Sequence, residues 1–178
     1  MAVERFSSRT QALGDVLSGR LKGAKRYLRI AGYFRSSLLE VVGEALDTVE
    51  EIRVVCNGDL DPHDVKVARA AREGSAAVAK TLVSSWQANE HGVDVLLGRE
   101  RYSRLHQLLS SGRLKVRFIP RDGNNVFVHG KAGVIEHADG REHSFVGSLN
   151  DSASGLRHAY EILWADDDPD AAKWVRAE

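Results

Sequence analysis

Cysteine is almost absent. The chain of 178 residues holds one, Cys56, which excludes an intrachain disulfide. Set in the apolar run Ile52, Val54, Val55, that thiol reads as a reduced core residue of a cytoplasmic protein. Long apolar runs are lacking as well, and no window approaches the roughly 18 to 20 apolar residues of a membrane-spanning helix. The opening stretch MAVERFSSRTQALG carries a glutamate at position 4 and no apolar core, which argues against a secretory leader. Neither sign of charge is in excess, since Lys+Arg and Asp+Glu both total 25. Nothing global therefore marks a polyanion-binding protein. With no internal repeat, linker or low-complexity tract, the length suits one compact domain spanning 1–178.

What is present is an alternation of helical and strand patterns. Residues 8 to about 22 space Leu13, Val16, Leu17 and Leu21 on one helical face and stop at Gly23. A strand is predicted over 27–34, a helix over 38–48 capped by Ser36 or Ser37, and a buried strand over 52–56. Strand, helix and strand within about 30 residues form a βαβ unit and imply parallel pairing. A turn-rich loop over 57–62 leads to helices within 63–73 and 75–90, then one over 99–109. Residues 114–119 alternate as a strand stopped by Pro120. Strands over 126–136 and 144–149 flank an Asp139-Gly140 turn, and a last strand over 159–165 precedes a short helix. Trp86, Trp164 and Trp174 are assigned to the core. Two basic clusters, Arg20 to Arg29 and Arg113 to Arg121, read either as solvated faces or as the lining of a phosphate groove.

The chemistry gathers between His129 and Glu161. His129 and Lys131 are two apart on a predicted strand, so both side chains leave one face, while Val128, Ala132 and Val134 turn to the core. The hairpin returns through Phe145-Val-Gly-Ser-Leu-Asn150 and delivers Ser148 and Asn150 beside them. An imidazole, an ammonium, a hydroxyl and a carboxamide are the donors that phosphate oxygens require. Read singly, each has a plainer account. Asn150 would cap the helix around 152–156, Ser152 is either that cap or a further phosphate donor, and Glu161 would be an ordinary surface acid. Tyr33 and Phe34 read as core or pocket wall, with base stacking by Tyr33 as the alternative. The other histidines, among them His91, lack paired cysteine or carboxylate spacing, so no zinc site is read.

His129-Gly-Lys131, then Glu136, then Gly147-Ser148-Leu149-Asn150, resembles the signature of the phospholipase D superfamily. Glu161, eleven residues past Asn150, resembles the downstream acid of its small bacterial nucleases. Ile30-Ala-Gly-Tyr-Phe34 followed by Ser36-Ser37 is similar to the opening of restriction- and helicase-associated members. Two departures stand out. Glu136 replaces the usual Asp, and the spacer to Gly147 is longer than in the family. The resemblance implies an α/β fold, a mixed sheet flanked by helices, with one histidine–lysine half-site per chain. It implies a metal-independent phosphodiesterase acting on nucleic acid, DNA in first place, through a phosphohistidine on His129. Glu161 would orient that ring, and Lys131, Ser148 and Asn150 would hold the phosphoryl oxygens, with no cofactor. The second histidine would come from a homodimer joined at the active-site face. The alternative is an inactive nucleic-acid-binding or dimerisation module, the N-terminal domain of a longer helicase-like defence protein or the partner of one. Action on phospholipid head groups ranks below both.

Overall fold

The computed structural model describes residues 3–73, 96–119 and 127–178. The helix expected within 75–90, together with Trp86, His91, Pro120 and Arg121, lies outside the described residues. Elsewhere the chain runs β1 (Glu4–Ser7), α1 (Leu13–Leu21), β2 (Ala24–Ile30), a 3-10 turn (Ser36–Leu38), α2 (Leu39–Leu46), β3 (Glu51–Asn57) and α3 (Pro62–Glu73). It continues through α4 (Glu100–Ser110), β4 (Leu114–Ile119), β5 (Lys131–His137), β6 (Glu142–Gly147), α5 (Ala153–Arg157), β7 (Ile162–Asp166) and α6 (Pro169–Ala177). Among the described residues, no helix is long and apolar enough to cross a membrane.

The strands form one mixed sheet in the order β1-β7-β6-β5-β2-β3-β4. The predicted βαβ unit is there: β2 and β3 pair in parallel, as do β3 and β4. β5 runs antiparallel to β2, with Ile30 opposite Ala132, and Lys131 in turn lies opposite Gly147. The end of β2, the start of β5, the end of β6 and the start of β7 therefore share one edge of the sheet. That edge carries the site.

Alternation decides which face each side chain takes. Tyr27, Ile52, Val54, Ile135, Phe145 and Leu163 point inward and meet Leu13, Leu17, Val42, Leu46, Leu105 and Leu108 of the helices. The outer face has thinner cover, where Ala172 and Val175 of α6 pack on Val134.

Several expectations are corrected. β2 ends at Ile30 rather than at position 34, because the chain leaves the ladder at Ala31 and Phe34 returns only as a single bridge to Asp151. β1 was not foreseen; it pairs antiparallel with β7, Arg5 opposite Trp164. Ser36 and Ser37 do not cap α2, which begins from a 3-10 turn; the Ser37 hydroxyl instead accepts from the Ala153 N–H at the start of α5. Trp164 and Trp174 are not core: they are 49% and 61% exposed, since β7 and α6 bury their opposite faces. The basic clusters are largely spent on structure. Arg20 pairs with Glu4 and Asp167, Arg26 with Glu51 and Glu136, and Arg113 binds the carbonyls of Leu46, Asp47 and Val49.

Candidate active site

His129 does not sit on a strand as expected. β5 begins at Lys131, and residues 127–130 approach it as coil outside the ladder. The two side chains still meet. The Lys131 ammonium donates to the His129 carbonyl at 2.7 Å and stands 3.4 Å from Nδ1 of its ring. His129 is exposed whereas Lys131 is 9% exposed. Burial lowers the lysine pKa below its ordinary value; Glu161 draws it back up and Arg29 lowers it further.

Asn150 and Lys131 converge over Gly32. A Cβ built there would stand 3.1 Å from Asn150 Oδ1 and 3.5 Å from Lys131 Nζ, so any side chain at position 32 would intrude between them. Asn150 Oδ1 is buried without a hydrogen-bond partner. The cap of α5 is Ser152, whose hydroxyl accepts from the Gly155 N–H at 3.1 Å, which leaves the Asn150 side chain outside the helix.

Ser148 and Glu161 hold each other. The Ser148 hydroxyl donates to Glu161 Oε2 and accepts from the Ile162 N–H at 3.1 Å. Glu161 lies just before β7, not within it, and its backbone is tied to Ser8 in both directions, at 3.0 Å and 2.9 Å. Among the described residues, no hydrogen bond joins Glu161 to His129. A Cβ on Gly147 would fall 2.2 Å from the Ile162 carbonyl, so only glycine lets β6 and β7 close this tightly beside Ser148. Glu136 pairs with Arg26 and Arg176 at the far end of β5, a structural role away from His129.

Three residues that frame the site were missed. Arg29, with no exposed side-chain surface, donates Nε to Asp151 at 2.8 Å and its other nitrogens to the carbonyls of Ala132 and Leu149. It grips the chain one residue after Lys131 and on either side of Asn150. The Asp151 carboxylate at its side, together with Tyr27, keeps this guanidinium charged despite burial, which alone would lower its pKa. Asn57 does for His129 what a strand would have done. Its carboxamide donates to the Gly32 and Val128 carbonyls at 2.9 Å and 2.7 Å and accepts from the Val128 N–H at 2.9 Å. We expect Asn57→Leu to cost about 2 to 4 kcal/mol, since three bonds of its carboxamide are lost, one buried and two part-buried, and both backbone groups of Val128 lose their partner. Urea denaturation measures that cost.

The fold agrees with the comparisons. The chain belongs to the phospholipase D-like family: the family described as cardiolipin synthase, PLD-like domain, matches residues 17–178. Among solved structures it is similar to the phospholipase D family member Nuc from Salmonella typhimurium, at 10% identity and a TM-score of 0.54, covering 99% of this chain and 90% of that one. NucT from Helicobacter pylori matches at 14% identity and a TM-score of 0.52 over 99% and 91% of the two chains. Yeast tyrosyl-DNA phosphodiesterase matches at 14% identity and 0.52 over 93% of this chain, which spans 32% of that protein. These likenesses concern the fold. No curated protein sequence matches the chain.

Proposed function

We propose that this chain is a metal-independent phosphodiesterase of the nuclease type, cleaving nucleic acid, DNA in first place, at a site completed by a second copy of itself. The observation that carries the reading is the meeting of Lys131 and Asn150 over Gly32, with the exposed His129 imidazole beside them. An unprotonated ring nitrogen of His129 attacks phosphorus, and the P–O bond to the leaving group breaks as the P–N bond forms. The leaving oxygen takes a proton from His129 of the partner subunit. That imidazole then removes a proton from water, which displaces His129 from phosphorus. Lys131 and Asn150 neutralise charge on the non-bridging oxygens throughout. Ser148 joins them when Glu161 turns from its hydroxyl towards the His129 ring, fixing the tautomer and supporting the positive charge of the intermediate.

The test is DNA cleavage in EDTA together with capture of an acid-labile phosphoryl adduct on His129. Neither cleavage nor adduct from a folded dimer would sink the proposal. One observation favours a second reading, a binding module without turnover: Glu161 is engaged by Ser148 and not by the histidine. Tight DNA binding with no cleavage would select it.

Lys131 also sets a pH limit. Its ammonium is needed on phosphate, and burial lowers its pKa from the ordinary 10.5, so the proton leaves earlier as pH rises. The alkaline limb of kcat should therefore fall below 10.5. A limb at or above that value would remove Lys131 from the charged role.

A further inference from the structure

Part of the second basic cluster is not spent on structure. Arg53 lies opposite Lys115 and Val55 opposite Arg117 in the β3–β4 register, while Ile52, Val54 and Leu114 belong to the core. Alternation therefore puts Arg53, Lys115 and Arg117 together on the outer face, and all three are exposed. Glu51 is the acid they share. Arg53, Lys115 and Arg26 all pair with it, and these cations, Arg53 foremost, push its carboxyl down to about 2. Arg26 has Glu136 as well, whereas Arg117 has no acidic partner among the described residues. Arg53, Lys115 and Arg117 against Glu51 leave a surplus of two positive charges, in a chain whose totals balance at 25 and 25. A groove of about 440 Å³ runs beside them. Ile30, Val55 and Ile119 give it apolar walls, Arg53 stands on its rim, and it reaches Val128, the residue before His129. On its α6 side the charges are matched, Arg176 by Glu136 and Glu142, with Glu178 beside them.

We propose that Arg53, Lys115 and Arg117 form a track for the backbone of a nucleic-acid strand whose scissile phosphate lies at His129. The inference rests on the nucleic-acid reading above and says where the rest of the strand goes. Position supports it. Ile119, at the end of β4, lies opposite Asn57, and the Asn57 carboxamide holds Val128 by both of its backbone groups. Arg117 and Lys115 follow at about 7 Å and 13 Å down β4 from Ile119, so a backbone held at His129 meets them within a few nucleotides. Arrangement supports it too. Lys115 and Arg117 are about 7 Å apart along one strand, and Arg53 is about 5 Å across from Lys115 on the next. Cations set out in a line along an open groove suit a chain of repeating phosphates, whereas one small anion would need donors that converge on a point. The apolar walls leave room for sugar and base beside the charged rim.

Fluorescence anisotropy with a labelled DNA single strand of about 30 nucleotides tests this, on the full chain carrying His129→Ala so that the probe survives. Lys115→Ala together with Arg117→Ala should weaken binding roughly 25-fold at about 0.1 M salt and flatten the slope of log affinity against log salt by about 1.4, as expected for two phosphate contacts on a single strand. Lys22→Ala, at the end of α1 on the other side of the sheet, should change neither. Circular dichroism reports folding, and Arg117→Ala alone supplies a gentler variant that should give about half of the slope change. With His129 intact, the double variant should raise KM for the strand and leave hydrolysis of bis(4-nitrophenyl) phosphate unaltered, since that small diester does not extend to β4. Unchanged affinity and slope in the folded double variant overturn the track and leave the proposed chemistry standing. An equal loss on the small diester also overturns it, because the change then acts at His129. A chain with intact Lys115 and Arg117 that binds no strand sinks the track and the nucleic-acid reading together. Binding that responds to the variants without any cleavage keeps the track and discards the turnover. Polyglutamate that displaces the strand at equal charge concentration overturns the track in favour of an acidic protein.

Discussion

Replacing His129 with alanine should abolish cleavage while leaving the protein as stable as before. The ring is exposed, with Lys131 and the tilted Phe127 ring, centroids 6.3 Å away, beside it. A stability change within about 0.5 kcal/mol is therefore expected. The effect on rate is of another order. Without the nucleophile no phosphohistidine forms, and loss of a nucleophile costs on the order of 10⁴-fold or more in kcat, equivalent to about 5.4 kcal/mol of barrier. Single-turnover cleavage in EDTA measures it. The proposed two-copy site adds a further expected result: mixing the variant with wild type should reduce activity in proportion to mixed dimers. Cleavage by the variant at more than about a tenth of the wild-type rate would mean that the site lies elsewhere.

The largest loss of stability should come from Arg29→Met. That change leaves the Asp151 carboxylate buried with its only ion-pair partner among the described residues gone, and it strands the Ala132 and Leu149 carbonyls. Removing one member of a buried pair costs about 3 to 5 kcal/mol, against a total stability of about 5 to 15 kcal/mol for an ordinary domain. The urea midpoint should drop accordingly. Arg29→Met combined with Asp151→Leu should recover much of the loss, because no charge is then left without a partner. If the double variant is no more stable than the single one, the cost lies in packing around Tyr27 and Phe145 and not in the orphaned charge.

The convergence of His129, Lys131 and Asn150 at one end of the sheet was legible because their chemistry is unusual: a histidine, a lysine and an asparagine at these spacings serve no core. The βαβ unit and β4 were legible because apolar runs and alternation extended through them. What failed has physical causes. His129 was placed on a strand because Val126 and Val128 continue the alternation, but the pairing there is made by the Asn57 side chain, which no backbone pattern reveals. Arg29 was counted with a basic cluster although its position two residues after Tyr27 already put it on the inner face. The four residues of β1, Glu-Arg-Phe-Ser, have too little apolar content to announce a strand; their pairing with β7 supplies the reason they form one. Trp164 and Trp174 were assigned inward by size alone, whereas periodicity along β7 and α6 turns both outward.

Ser8 and Glu161, bonded to each other through backbone and hydroxyl, join the two extremes of the sequence at the site. Such a contact, like the β1–β7 pairing beside it, closes a loop over most of the chain, and loop closure of this kind comes late. During synthesis His129, Lys131 and Asn150 precede Glu161, whose backbone is anchored only when it meets Ser8. The growing chain therefore carries His129, Lys131 and Asn150 unassembled until the last strand slots between β1 and β6.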